Sequence, residues 1–90
     1  MQERRTKLEI VNDMLRAIQE KGGRIKPTHL LYKSNLSHNR MNSYLDYLKN
    51  KELIEENTVK NKKVFQLTDK GFSFLENYKK VREFSDAFGI

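Results

Sequence analysis

Ninety residues supply one domain with a modest core, and 37% apolar residues against 33% charged ones leave burial adequate but not generous. The absence of cysteine and the presence of only two histidines exclude disulfides, thiolate metal sites and a thiol nucleophile, and argue against a zinc centre. The formal charge is +6, no apolar run reaches the length of a membrane span, and the opening MQERRTKLEI lacks an apolar signal core, so a cytoplasmic protein without a membrane partner is expected.

Thr6 followed by Glu9 fits a capping box that opens a first helix over about residues 7–21. Leu8, Val11, Met14, Leu15 and Ile18 recur at helical spacing and should form its apolar face. Gly22-Gly23 stops it, and Arg24-Ile25-Lys26 reads as a very short strand. Pro27 suits the first position of a second helix, where its missing N–H costs nothing. That helix is brief, Pro27 to about Ser34, with Leu30 and Leu31 inward.

Asn35-Leu36-Ser37 is a tight turn with an apolar plug, and Ser37 is a good cap for a third helix over 38–50. On a helical wheel Met41, Tyr44, Leu45 and Leu48 make one face. Asn39, Arg40, Ser43, Tyr47 and Asn50 point the other way, with Asn42 on a flank. Leu53–Thr58 and Lys63–Leu67 then read as two strands joined by the tip Val59–Lys62. Thr68 caps a last helix over about 69–87. The fold class is mainly α with a small β-hairpin, in the element order of a winged helix-turn-helix: the third helix reads and the hairpin is the wing.

The charge follows this order. Residues 21–45 carry Lys21, Arg24, Lys26, Lys33 and Arg40 with no acid, and residues 57–63 carry Lys60, Lys62 and Lys63 unopposed, whereas the stretches 1–20 and 64–90 cancel and 46–56 sums to −2. The excess therefore coincides with the helix-turn-helix and the wing tip, as a nucleic-acid footprint would.

The stretches LEIVNDMLRAI, the NLS turn, the Tyr44-Leu45-x-x-Leu48 and Leu53-Ile54 spacing, and LTDKGFSFLE resemble the archaeal winged-helix DNA-binding proteins of about ten kilodaltons, across roughly residues 7–84. The resemblance implies DNA binding by a dimer built on an antiparallel coiled coil of the last helices. In this chain that helix ends soon after Phe84, so the coiled coil would be short.

Each candidate residue has a reading beside its plainer alternative. In the third helix, Arg40 can pair with guanine and Asn39, Asn42 and Ser43 can reach base edges; a solvated polar face is the plain alternative. Asp46 would repel phosphate, so the first two turns should matter most. Lys26, Lys33, Lys60, Asn61, Lys62 and Lys63 are expected on the backbone, with Tyr47 beside the reading face; lysines on a hairpin also guard against strand aggregation. His38 is expected on the core side as a packing or capping residue, and His29 at the surface near phosphate. In the last helix Gly71, Phe74, Tyr78, Val81, Ser85 and Phe88 follow a heptad seam, flanked by Leu75 and Phe84. Pairing with a second copy is expected through Phe74, Leu75, Tyr78, Val81, Phe84, Ser85 and Phe88; folding back onto the first helix is the alternative.

Residues 1–67 would thus be a reading domain and 68–90 a dimerisation helix continuous with it. No carboxylate pair, Ser-His-Asp spacing or glycine-rich phosphate loop supports an enzyme, a cofactor, a metal or a small-molecule ligand. The expected function is dimeric binding of double-stranded DNA in the nucleoid, as a regulator or an architectural protein. The rival is a winged-helix subunit that docks on an acidic protein surface.

Overall fold

The computed structural model describes residues 5–90. The elements run α1 (Lys7–Glu20), β1 (Arg24–Ile25), α2 (Pro27–Ser34), α3 (His38–Asn50), β2 (Ile54–Val59), β3 (Lys62–Leu67) and α4 (Asp69–Ala87). The first four residues of the proposed reading domain lie outside the described residues.

The capping box opens α1 as expected: the Thr6 hydroxyl accepts from the Glu9 N–H at 3.1 Å, and the Glu9 carboxylate accepts from the Thr6 N–H at 2.9 Å. The Thr6 N–H first, and the Thr6 hydroxyl second, hold the Glu9 carboxyl below its ordinary value. Ile10, Met14, Leu15 and Ile18 are fully buried, with Val11 and Ala17 beside them. Leu8 is not part of that face. It is 53% exposed, because the α1 stripe is centred on Ile10 and Met14, and Leu8 lies half a helical turn from Ile10.

Three helices end the same way. After α1, the Gly23 N–H bonds to the Ile18 carbonyl and Gly22 to Gln19; after α3, Leu53 bonds to Leu48 and Glu52 to Lys49; after α4, Ile90 bonds to Ser85 and Gly89 to Asp86. Each is a Schellman turn, which needs one residue in the left-handed region. Gly22 and Gly89 supply it without strain, whereas the turn after α3 forces Glu52 to φ +59°. Asn35 closes α2 in the same region, at φ +55°, and Leu36 plugs the turn against the core.

The hairpin is longer and tighter than expected. β2 and β3 pair antiparallel from Ile54↔Leu67 to Val59↔Lys62, so the loop is only Lys60-Asn61. Both loop residues have positive φ, +51° and +64°, the type I′ turn that suits the twist of paired strands. β1 adds to the other side of β3, giving the order β1-β3-β2. Lys26 leaves the strand and takes the N-cap position of α2.

Leu30, Met41, Leu45, Leu48, Ile54, Phe65, Leu67 and Leu75 complete one core around α1. Arg5 pins the helix-turn-helix to α1: its guanidinium reaches Asp13 at 2.8 Å and donates to the Ser34 carbonyl at 2.9 Å, at the end of α2. The first half of α4 belongs to this core as well. Gly71 packs so closely on the Leu53 carbonyl that a Cβ there would strike it. Thr68 fixes the junction by donating to the Glu52 carbonyl at 2.6 Å while accepting from the Gly71 N–H at 3.0 Å.

Candidate nucleic-acid interface

Ser37 starts α3 where the sequence places it, its hydroxyl accepting from the Arg40 N–H at 3.2 Å. Met41, Leu45 and Leu48 face the core, and Tyr44 is half-buried against it. Asn39, Arg40, Asn42 and Ser43 are thereby exposed together on the first two turns. The N-terminal end of that helix carries a partial positive charge, complementary to a phosphate.

Two side chains of this helix lie otherwise than its sequence pattern suggests. His38 is exposed rather than turned to the core, and its Nδ1 lies 3.2 Å from the Asn42 amide nitrogen. In the tautomer that leaves Nδ1 bare, the ring accepts from Asn42 one turn on and holds that amide on the exposed face of the helix. Tyr47 is not a free reader. It is half-buried against the core, with the Lys7 ammonium 3.9 Å above its ring centroid and Lys51 at 5.7 Å. Lys7 reaches it from the start of α1 and Lys51 from one turn further along, so its ring serves as a platform for two cations. Lys7 was hidden in an N-terminal stretch whose charges cancel on paper, and nothing local signals its approach to α3. The spacing of four from Tyr47 to Lys51 was the one available signal.

The basic residues separate into free and engaged ones. Lys26, Lys33, Arg40, Lys60 and Lys62 are exposed, and none is ion-paired to a described carboxylate. Lys63 is engaged, with Glu56 at 3.9 Å; Glu56 also holds Lys49 at 3.2 Å, and Lys49 lies 3.8 Å from Asp46. Lys63 thus points back along the strands, because its side chain alternates with that of Lys62. Asn61 stands at the tip of the turn beside Lys60, so the wing presents Lys60, Asn61 and Lys62 outward.

α4 carries two different surfaces. Leu75 is buried within the domain's own core, so it is not available to a partner, and Phe74 and Tyr78 are half-buried, their rings stacked at 6.0 Å. Val81, Phe84 and Phe88 are 62%, 63% and 68% exposed, the two phenyl rings 4.9 Å apart. The folded-back arrangement is not adopted: an open cleft of about 580 Å³ lies between α1 and this part of α4, walled by Asn12, Arg16, Tyr78 and Arg82. Ser85 is spent on the helix end, its hydroxyl donating to the Ile90 carbonyl at 2.6 Å, rather than on a seam.

Three helices with a short turn before the third, followed directly by a hairpin with a basic tip, define a winged helix-turn-helix. A sequence model of the winged helix-turn-helix family matches residues 4–86, and the chain belongs to that family. Its fold is shared with Sso10a-2, a DNA-binding protein from Sulfolobus solfataricus, at 24% identity and a TM-score of 0.74 over 94% of this chain and 90% of the other. It is also similar to F93 from STIV, a winged-helix DNA-binding protein (17% identity, TM-score 0.71, 89% and 92% covered). TubR from Bacillus thuringiensis serovar israelensis, solved on 24 bp of tubC, is similar at 23% identity and a TM-score of 0.67, with 79% and 80% covered. No curated protein matches the sequence significantly. The first two of these neighbours are DNA-binding proteins, and the third was solved bound to DNA.

Proposed function

We propose that the protein binds double-stranded DNA as a homodimer, as a regulator or an architectural component of the nucleoid. One observation carries this reading: the helix-turn-helix and the wing tip present the exposed cations Lys26, Lys33, Arg40, Lys60 and Lys62, unpaired among the described residues, and residues 21–45, which hold the first three, contain no acid. α3 enters or overlies the major groove, with Asn39, Arg40, Asn42 and Ser43 toward base edges. Lys60, Asn61 and Lys62 meet the backbone and supply affinity without sequence choice.

Residues 1–67 act as the reading unit and 68–90 as the pairing helix, although the two share one core. Val81, Phe84 and Phe88 support pairing, since a row of exposed aromatics seldom stays in water on a stable protein. Two-fold pairing along α4 sets two reading helices on one duplex.

The test is fluorescence anisotropy of a random duplex at several salt concentrations, for the native protein and for Lys60→Ala/Lys62→Ala. Binding should weaken steeply with salt, and the slope should fall by about 0.9 for each lysine removed. An unchanged slope sinks the wing contact. Absence of binding at low salt overturns non-specific DNA binding and turns the basic face toward an acidic protein partner.

A further inference from the structure

A second cleft, of about 330 Å³, lies between the β1–α2 junction and the distal half of the wing. Its rim is basic throughout: Lys21 from the end of α1, Arg24 from β1, Lys26 at the α2 cap and His29 on α2. Ile25, Val59 and Val64 supply its apolar part, and among the described residues no acidic one lines it. Ile25 and Val64 are 2% and 8% exposed, so that part is a formed surface and not a set of loose tips.

We propose that this cleft binds a small organic anion with an apolar body, of the size of a one-ring carboxylic acid. Size, shape and charge agree. The volume falls at the lower end of the roughly 300–1,000 Å³ of ligand clefts and admits a one-ring acid with room to spare. A bare inorganic anion would satisfy the rim and leave the valines unused, and a neutral ring would do the reverse. Only a molecule with both parts uses both walls, with charge-assisted bonds to the rim.

His29 provides a built-in reporter. Desolvation, then Lys21 and Lys33, hold its imidazole below the ordinary value of 6.5. Arg24 and Lys26 add positive charge from the β1 side of the same cleft. A bound anion offsets these cations, so the His29 pKa rises on binding and binding is accompanied by proton uptake.

The site also has a consequence for DNA, which rests on the function proposed above. Val59 pairs with Lys62 at the last step of the ladder before the wing tip, and Ile25 pairs with Phe65. A ligand gripping both sides fixes the wing against α2 and neutralises Lys26 where a backbone phosphate would sit. Occupancy therefore weakens DNA binding.

Methyl NMR of the full chain, without DNA, tests the site with three probes: benzoate, benzyl alcohol and inorganic phosphate. Benzoate should shift the Ile25, Val59 and Val64 methyls saturably and raise the His29 pKa. The other two should bind at least about tenfold more weakly, the loss expected for one missing charge-assisted or apolar contact. Arg24→Gln and Lys26→Gln, both at exposed positions, should weaken benzoate similarly with the remaining spectrum unchanged. Absence of saturable shifts, or equal effects from phosphate or benzyl alcohol, overturns the site. Anisotropy with benzoate against sodium chloride at matched ionic strength tests the coupling. If benzoate binds and DNA affinity holds, the coupling is overturned alone; if DNA never binds, the function above fails while the methyl shifts still decide the site.

Discussion

The two halves of α4 share one heptad pattern and have opposite fates. In the first, Gly71 is pressed against the Leu53 carbonyl and Leu75 is buried among core residues. In the second, Val81, Phe84 and Phe88 repeat the spacing and stand in solvent. Periodicity announces that a helix face will be covered, but not by what. Cover comes from whatever lies opposite: α4 packs on α1 and β3, with Gly71 against the Leu53 carbonyl, while nothing among the described residues buries Val81, Phe84 and Phe88.

Four substitutions probe that contrast, in falling order of effect. Gly71→Ala should be the most damaging, by about 3 kcal/mol or more, because the new methyl meets a backbone carbonyl and the Leu67 side chain, which cannot both retreat. Thermal unfolding would show it, and a loss below 1 kcal/mol would mean that α4 can slide away from the strand end. Leu75→Ala should cost about 2–3 kcal/mol through its cavity, at every protein concentration. Phe84→Ala should leave the monomer's unfolding unchanged and raise the dimer dissociation constant on the order of a hundredfold, since a two-fold axis counts each deletion twice. Sedimentation equilibrium measures this; a variant as dimeric as the parent would place the pairing surface elsewhere. Glu52→Gly is the smallest and runs the other way, stabilising by about 1 kcal/mol as the left-handed position before the α4 junction is relieved. A chemical denaturation midpoint that fails to rise would show that the bond from Thr68 to the Glu52 carbonyl already absorbs the strain.

Most of the architecture was readable because its signals are local. Thr6, Ser37 and Thr68 cap the helices they were expected to cap, and the α3 boundaries hold to the residue. The reading went astray where a contact spans the chain. Leu8 is apolar at helical spacing, yet the stripe it joined on paper is not the one centred on Ile10. Tyr47 looked like a groove residue until α1 brought Lys7 over its ring. Lys63 adds to the wing's charge in the sequence, whereas Glu56, across the ladder and two residues out of direct register, claims it. In the interface, the free cations of the first two turns of α3 and the wing tip followed from a run of sequence without acids, a property pairing across the fold could subtract from but not create.

β2 is an edge strand, paired on one side only, and its exposed residues include Glu55, Glu56 and Thr58. Unsatisfied strand edges invite a second strand, and like charges on both partners forbid it. The acids that lower the positive potential beside the wing therefore keep crowded copies from zipping together along β2. Exchanging Glu55 and Glu56 for glutamine would tighten the grip on DNA and make the same molecules prone to fibrillar stacking, so solubility sets the ceiling on how basic this face can become.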